Sequence, residues 1–456
     1  MSDLLLRNVE LNGEQTHVRV SNGRIVSIGD GAREGAEDID ARGGALIPGL
    51  IDHHIHLYAT AARMASVDLS GARTRDALLQ TLQSKAQHGQ WLRAFGYDDS
   101  EMGLISREDL DALGDTPVRV QDRTGALWVL NSAALAQVLG DEPPACVERD
   151  ASGRPTGRIW RGDAWLRQRI NAPPPSLAPL SRALAARGVI GVTDASVTNS
   201  AAEAHLLAQA RRSGELLQSL YLMSGDDIPP SPDYAIGPLK ILPDERDLPE
   251  VDDIAARIRR ARELQRAVAV HCVTAAELVL ALAAFETAGA RDSDRIEHGG
   301  IIPAPMIDTI RDLRLTVVSQ PHFITERGAR YLRTVSADEQ ADLYRLQSLR
   351  TAGVKLAAGS DAPYGGIDPW RAIGAAMTRR TESGEMIGAD ERLDARTALG
   401  LYLGDARDPG GVERTVAIGQ RADLCLLRTP LGIALAAPAE ASIAATIARG
   451  EVIYRG

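Results

Sequence analysis

Between Ile47 and His56 the chain reads Ile-Pro-Gly-Leu-Ile-Asp-His-His-Ile-His, an apolar run that closes on alternating histidines. In an extended strand, side chains two apart share a face, so His54 and His56 point one way while His53 and Ile55 point the other. Two imidazoles at the mouth of a buried strand make half of a divalent-metal site. A lone His-x-His pair is common at surfaces and in satisfied cores, so the later segments decide what this one means. Three later strand-like runs each end on a metal-capable side chain: Val268-Ala269-Val270-His271, Asp294-Arg295-Ile296-Glu297-His298 and Leu356-Ala357-Ala358-Gly359-Ser360-Asp361. A fourth, Pro238-Leu239-Lys240-Ile241-Leu242, carries a lysine. Six candidates on five strands require one point where five strand ends meet.

An α/β architecture of the (β/α)8 or TIM-barrel type supplies that point, because its eight parallel strands open at one face and catalytic groups come from their carboxyl ends. The spacing fits: 31 positions from Lys240 to His271 and 27 from His271 to His298, each about one strand, one helix and two loops. His298 to Asp361 spans 63 positions, about two such units, and Leu315–Gln320 supplies the strand between them. Val251, Ile254, Ala255, Ile258, Ala261 and Leu264 recur at helical spacing between Lys240 and His271, as the outer helix of a βαβ unit requires.

The chain resembles the amidohydrolase superfamily, in the branch of YtcJ-like proteins and N-substituted formamide deformylases. The resemblance rests on Pro48-Gly49-Leu50-Ile51-Asp52 running into His54-x-His56, then Gly237-Pro238-Leu239-Lys240, Val270-His271, Glu297-His298-Gly299 and Gly359-Ser360-Asp361. Phe95-Gly96-Tyr97-Asp98, Trp128-Val129-Leu130-Asn131-Ser132 and Gly419-Gln420-Arg421-Ala422-Asp423-Leu424 extend it over almost the whole length, in family order.

The chemistry expected is attack of water on a resonance-stabilised carbonyl, which divalent cations make feasible near neutral pH. Two are expected, zinc foremost, with His54 and His56 on the more buried one and His271 and His298 on the second. Lys240 as an ammonium has no lone pair to offer. Burial beside cations lowers its pKa, and the neutral amine can add carbon dioxide to become N6-carboxylysine, an anion suited to join two cations. The resemblance implies such a bridge, and with it a binuclear centre. Asp361 is expected to bind the buried ion, take a proton from the attacking water and pass it to the leaving nitrogen. Each residue has a plainer alternative: His271 and His298 as core histidines bonded to backbone, Lys240 in an ion pair with Asp244 or Glu245, and Asp361 as a cap on the next turn. His53 and His17 are expected to take no part in the chemistry.

Tyr97, Asp98, Arg123, Trp128 and His322 lie in family-like segments and are the candidate substrate contacts, with His322 placed to bond a substrate carbonyl or a developing oxyanion. Where many YtcJ-like chains carry a histidine before the Trp-Asn segment, this one reads Arg123-Thr124-Gly125-Ala126-Leu127-Trp128, a more apolar wall. The expected reaction is hydrolysis of a non-peptide C–N bond in an N-substituted amide, a carbamate or a lactam. A mononuclear heterocycle deaminase is the first alternative. Lys240 counts against it, as does Glu297, which strand alternation turns away from His298. A catalytically inactive scaffold is the second, and retention of all six candidate ligands counts against that.

Residues 1–46 and 405–456 read as short strands around turns such as Asn22-Gly23 and Arg449-Gly450, and are expected to pair into one β-sandwich domain. The barrel is expected over residues 47–404, interrupted at about 66–180 by an insertion after the first strand that ends near Pro173-Pro174-Pro175. A net charge of −10 argues against nucleic acid and anionic membrane partners. The first residues lack a basic start and a long apolar core. Three scattered cysteines, Cys146, Cys272 and Cys425, fit a reducing cytoplasm without a disulfide framework. A small-molecule substrate and a homo-oligomer, dimer first, are expected. Basic charge is nearly all arginine, and Lys85, Lys240 and Lys355 are the only lysines. A lysine inside the apolar stretch Ile236–Leu242 therefore asks for a reason.

Overall fold

The computed structural model describes residues 3–29, 37–87, 90–140, 142–170, 173–225, 227–243 and 247–456. Asp244 and Glu245, the ion-pair partners considered for Lys240, lie outside them.

Eight parallel strands form the barrel: β1 Leu50–Ile55, β2 Val189–Asp194, β3 Ser219–Ser224, β4 Ala235–Ile241, β5 Val268–Cys272, β6 Arg295–His298, β7 Thr316–Ser319 and β8 Lys355–Ala358. They are ordered sequentially in one sheet, every neighbouring pair parallel. Strands β1, β2, β6 and β7 are buried along their whole length, as expected when helices cover one side of a parallel sheet and the barrel interior the other. The loop after β8 closes the ring onto β1, where Asp361 N donates to His54 O at 2.7 Å and Ser360 N to Asp52 Oδ1 at 2.9 Å. Outer helices follow the expected pattern. Val251–Glu263 buries Ile254, Ala255, Ile258 and Ala261, and Ala275–Ala288 starts on a reciprocal cap between Thr274 and Glu277.

Both termini build the sandwich. Arg24–Ile28, Glu14–Ser21, Leu4–Leu11 and Glu37–Asp40 make one sheet, and Glu451–Arg455, Ile443–Ala448, Leu424–Leu427 and Leu46–Pro48 make the other. Leu4, Leu6, Val18, Val20 and Ile25 share a core with Leu424, Leu426, Ala445 and Ile447, so neither terminal segment buries its apolar face without the other. The apolar run that begins at Ile47 changes sheet at Gly49, whose N–H donates to Asp423 O while Leu50 N donates to Gly188 O. A Cβ on Gly49 would lie 2.5 Å from Ile190, so the crossing needs glycine.

Residues Tyr58–Ser176 form a separate compact unit. Its sheet has six strands: Val147–Arg149, Pro155–Trp160, Leu127–Leu130, Val118–Asp122, Leu92–Tyr97 and Val67–Asp68, in spatial order. Among the described residues, no helix is long and apolar enough to cross a membrane.

Candidate metal centre

His54 sits on β1 with its side chain fully buried, and His56 follows at the strand end. Their rings are 5.4 Å apart between centroids, on one face as alternation requires. His298, at the end of β6, lies 4.7 Å from the His54 ring and 4.5 Å from that of His271 on β5. Asp361 closes the group: its Oδ1 is 3.2 Å from His56 Nε2 and 3.5 Å from His54 Nε2, and its Oδ2 is 3.9 Å from His298 Nδ1. Ligand atoms of His54, His298 and Asp361 all fall within 4.8 Å of one another, and the three residues are buried.

Lys240 projects from β4 with Nζ buried and, among the described residues, without a hydrogen-bond partner. Burial lowers its pKa, against the raising pull of Glu297 and Asp361. Burial and Lys240 together push His54 down to about 4 and His271 down to about 3, so both are neutral and hold a lone pair at physiological pH. Burial would raise the Asp361 carboxyl, but His298, His56 and His54 outweigh it and hold the group below the usual carboxylate range. A chelating set of neutral imidazoles and one ionised carboxylate suits a divalent cation such as zinc.

Three of the four histidines are also held from behind. His54 Nδ1 bonds Glu297 Oε2, His56 Nδ1 lies 3.0 Å from Ser196 Oγ, and His298 Nδ1 is 2.9 Å from Gln320 Oε1. Sequence reasoning missed Glu297, Ser196 and Gln320. Gln320 and Ser196 had a signal, since each follows the end of a barrel strand. Glu297 was set aside by the alternation rule, and here the structure corrects the sequence reading. Strands β6 and β1 are not neighbours, so contact between Glu297 and His54 has to cross the barrel interior. Arg295, two residues earlier on the same face, likewise reaches over to His53 O at 2.7 Å. His298 still joins the pocket because its backbone leaves the strand, at φ +72°, so β alternation no longer sets its direction.

His322 follows β7 and its Nε2 lies 3.0 Å from Ser360 O. A carbonyl only accepts, so Nε2 carries the proton. Burial pushes the ring down to about 4, which leaves it neutral with Nδ1 as an acceptor. In this pose the ring has no N–H left to donate to an oxyanion, and its Nδ1 is buried without a partner among the described residues.

The other four candidates lie in the Tyr58–Ser176 unit. The Tyr97 hydroxyl donates to Gly103 O and accepts from Ile105 N at 2.9 Å. Trp128 is buried and its Nε1 donates to Asp163 Oδ1 at 2.8 Å. Asp98 caps the turn Asp99–Met102 and pairs at 2.9 Å with Arg123 Nε, which is largely exposed. Within this unit Tyr97 and Trp128 thus have their polar groups engaged, while Asp98 and Arg123 meet as a surface pair. His53 is buried on the far side of β1 with neither ring nitrogen bonded among the described residues.

The amidohydrolase family model matches residues 37–454. N-substituted formamide deformylase of Arthrobacter pascens is 27% identical, over 100% of this chain and 98% of its own length. The YtcJ protein of Bacillus subtilis is 24% identical, over 92% of this chain and 90% of its own. The crystal structure of an uncharacterized metal-dependent hydrolase from Pyrococcus horikoshii superposes with a TM-score of 0.77 at 23% identity, covering 94% of this chain and 97% of that one. With strands that gather imidazoles and a carboxylate at one barrel mouth, and a family match over nearly its whole length, this chain belongs to the amidohydrolase family of metal-dependent hydrolases.

Proposed function

We propose that this protein hydrolyses a non-peptide C–N bond, in an N-substituted amide, carbamate or lactam, using two divalent cations, zinc foremost. His54, His56, Lys240, His271, His298 and Asp361 would hold them. The observation that carries the reading is the buried His54–His298–Asp361 group, whose ligand atoms lie within 4.8 Å of one another. Two buried nitrogens without partners among the described residues, His54 Nε2 and Lys240 Nζ, support it, since buried polar atoms are ordinarily bonded.

When bound, such cations make water acidic enough to attack near neutral pH and polarise the carbonyl under attack. Asp361, ionised beside three imidazoles, takes the proton from the attacking water and returns it to the leaving nitrogen, which departs as a neutral amine. Lys240 enters as a neutral amine. Its Nζ bonds the carbon of carbon dioxide and loses a proton, giving the N6-carboxylysine anion where an ammonium would repel the cations. His322 accepts a hydrogen bond from the substrate, and Tyr97, Asp98, Arg123 and Trp128 are assigned to the substrate wall. Three free cysteines, two of them buried, accord with a reducing cytoplasm.

One observation favours keeping the mononuclear deaminase in the test: Glu297 faces the barrel interior. Its carboxylate, however, is taken up by Arg295 and His54. Metal analysis separates the readings, with about two ions per chain for the proposed hydrolase, one for the deaminase and none for an inactive scaffold. Metal-loaded protein screened against formamides, carbamates, ureas and cyclic imides then tests the substrate class. Two ions and turnover of an N-substituted amide, carbamate or lactam are expected, and one ion with release of ammonia from a heterocycle would overturn the proposal.

A further inference from the structure

Beneath the candidate centre lies a buried charge relay that the hydrolytic mechanism does not use. Arg295 and Glu297 are 1% and 0% exposed. Arg295 Nε bonds Glu297 Oε1, its Nη2 donates to His53 O at 2.7 Å, and Glu297 Oε2 receives His54 Nδ1. An ion pair buried this deeply costs desolvation that a pair of apolar residues would avoid, so its presence calls for a role other than stability. Its geometry supplies one. The relay spans the barrel from β6 to β1, gripping the main chain at His53 with one arm and the ring of His54 with the other. An ionised carboxylate can only accept, so Nδ1 of His54 must carry the ring proton and Nε2 must keep its lone pair. That Nε2 is the atom 3.5 Å from Asp361 Oδ1 and has no other partner among the described residues.

We propose that Glu297, locked by Arg295, is a positioning residue that fixes the His54 tautomer and ring orientation, so that Nε2 is presented to the cation before any cation arrives. The inference rests on the metal-centre reading given above. It explains why β6 carries an ionised pair in its strand portion and delivers His298 only after leaving the strand conformation. One strand thereby serves the centre twice, once as a ligand candidate and once as the support of a ligand on the opposite wall.

Glu297→Gln tests it. Arg295, the stronger donor, keeps the amide oxygen, which leaves the amide NH2 facing His54 Nδ1 and moves the ring proton to Nε2. In metal-free protein labelled with 15N-histidine, the His54 resonances, assigned by their loss in His54→Asn, should switch tautomer. Co2+ affinity should fall about 10–100-fold and the visible ligand-field spectrum of bound Co2+ should change. Should Glu297→Gln fail to fold, the paired Arg295→Met, Glu297→Met variant removes both charges together, and the same loss of a single tautomer and of affinity is expected. A purely structural role would lower the melting temperature and leave the 15N shifts unmoved. A folded variant with wild-type His54 shifts and wild-type Co2+ affinity overturns the proposal. If the wild-type protein itself binds no Co2+, the metal-centre reading fails, while the 15N measurement on metal-free protein still decides whether Glu297 sets the tautomer.

Discussion

Oδ1 of Asp361 lies 3.2 Å from Nε2 of His56, across the seam where the loop after the eighth strand is stitched onto the first. Asp361 is a ligand candidate whose carboxylate lies near the imidazoles of His54, His56 and His298. Asp361→Asn should therefore lower kcat by about 10²–10⁴-fold, the usual worth of a positioned general acid or base. Circular dichroism should stay native. Turnover within threefold of wild type would remove Asp361 from proton transfer.

Lys240 should show opposite effects on activity and stability. Its Nζ, buried and without a partner among the described residues, is a cost to the metal-free fold, so Lys240→Met should stabilise chelator-treated protein by about 1–3 kcal/mol in urea titrations. Lys240→Ala should lose one ion and most turnover, with partial rescue by short carboxylic acids. Unchanged metal content and activity would exclude the carbamate.

Asp52 should leave a signature in acid. Burial is the largest influence on its carboxyl and pushes it up from 3.8 to about 6, against hydrogen bonds from Ser360 and the His54 N–H. A pKa raised by folding means that stability is fully present below about pH 4 and is lost as pH climbs through 6. The displacement corresponds to about 3 kcal/mol. Asp52→Asn, which keeps an acceptor for both N–H groups, should match metal-free wild type at pH 4 and exceed it above pH 7. A constant difference across that range would show that Asp52 does not titrate there.

Gly359 and Gly374 should respond in opposite senses to alanine. A Cβ on Gly359 would lie 2.4 Å from His54 N and 2.8 Å from its Cα, and that backbone has nowhere to move. Gly359→Ala should cost about 3 kcal/mol and perturb metal binding. Gly374, within the helix Pro369–Thr378, has nothing within 4 Å of its would-be Cβ. Gly374→Ala should gain about 1 kcal/mol from helix propensity. Thermal melts of the two variants check both.

Arg123 tests the insertion. The Arg123 side of its pair with Asp98 is largely exposed, so the pair contributes little to folding. Arg123→Ala should leave the melting temperature unchanged and raise KM several-fold with kcat held. Identical kinetics would take Arg123 off the substrate wall.

The barrel was legible in sequence because periodicity and spacing are local properties. Apolar strand runs carrying Lys240, His271, His298 and Asp361, set one or two βα units apart, leave few folds open to them. Motif resemblance carried the family for the same reason. The sandwich was legible too, since two terminal segments of alternating strands have no other way to cover their apolar faces.

Tertiary structure alone decided what the two-residue rule could not express. Glu297 was assigned outward because His298 beside it had to face in, and a single residue at φ +72° lets both reach the interior. Gln320 and Ser196 gained roles only when folding brought their strand ends beside His298 and His56. Sequence determines which way side chains alternate along a strand, because that follows from backbone geometry within a few residues. Which nitrogen of a histidine is left to meet a cation depends on a partner hundreds of residues away, and only closure of the ring brings that partner into reach.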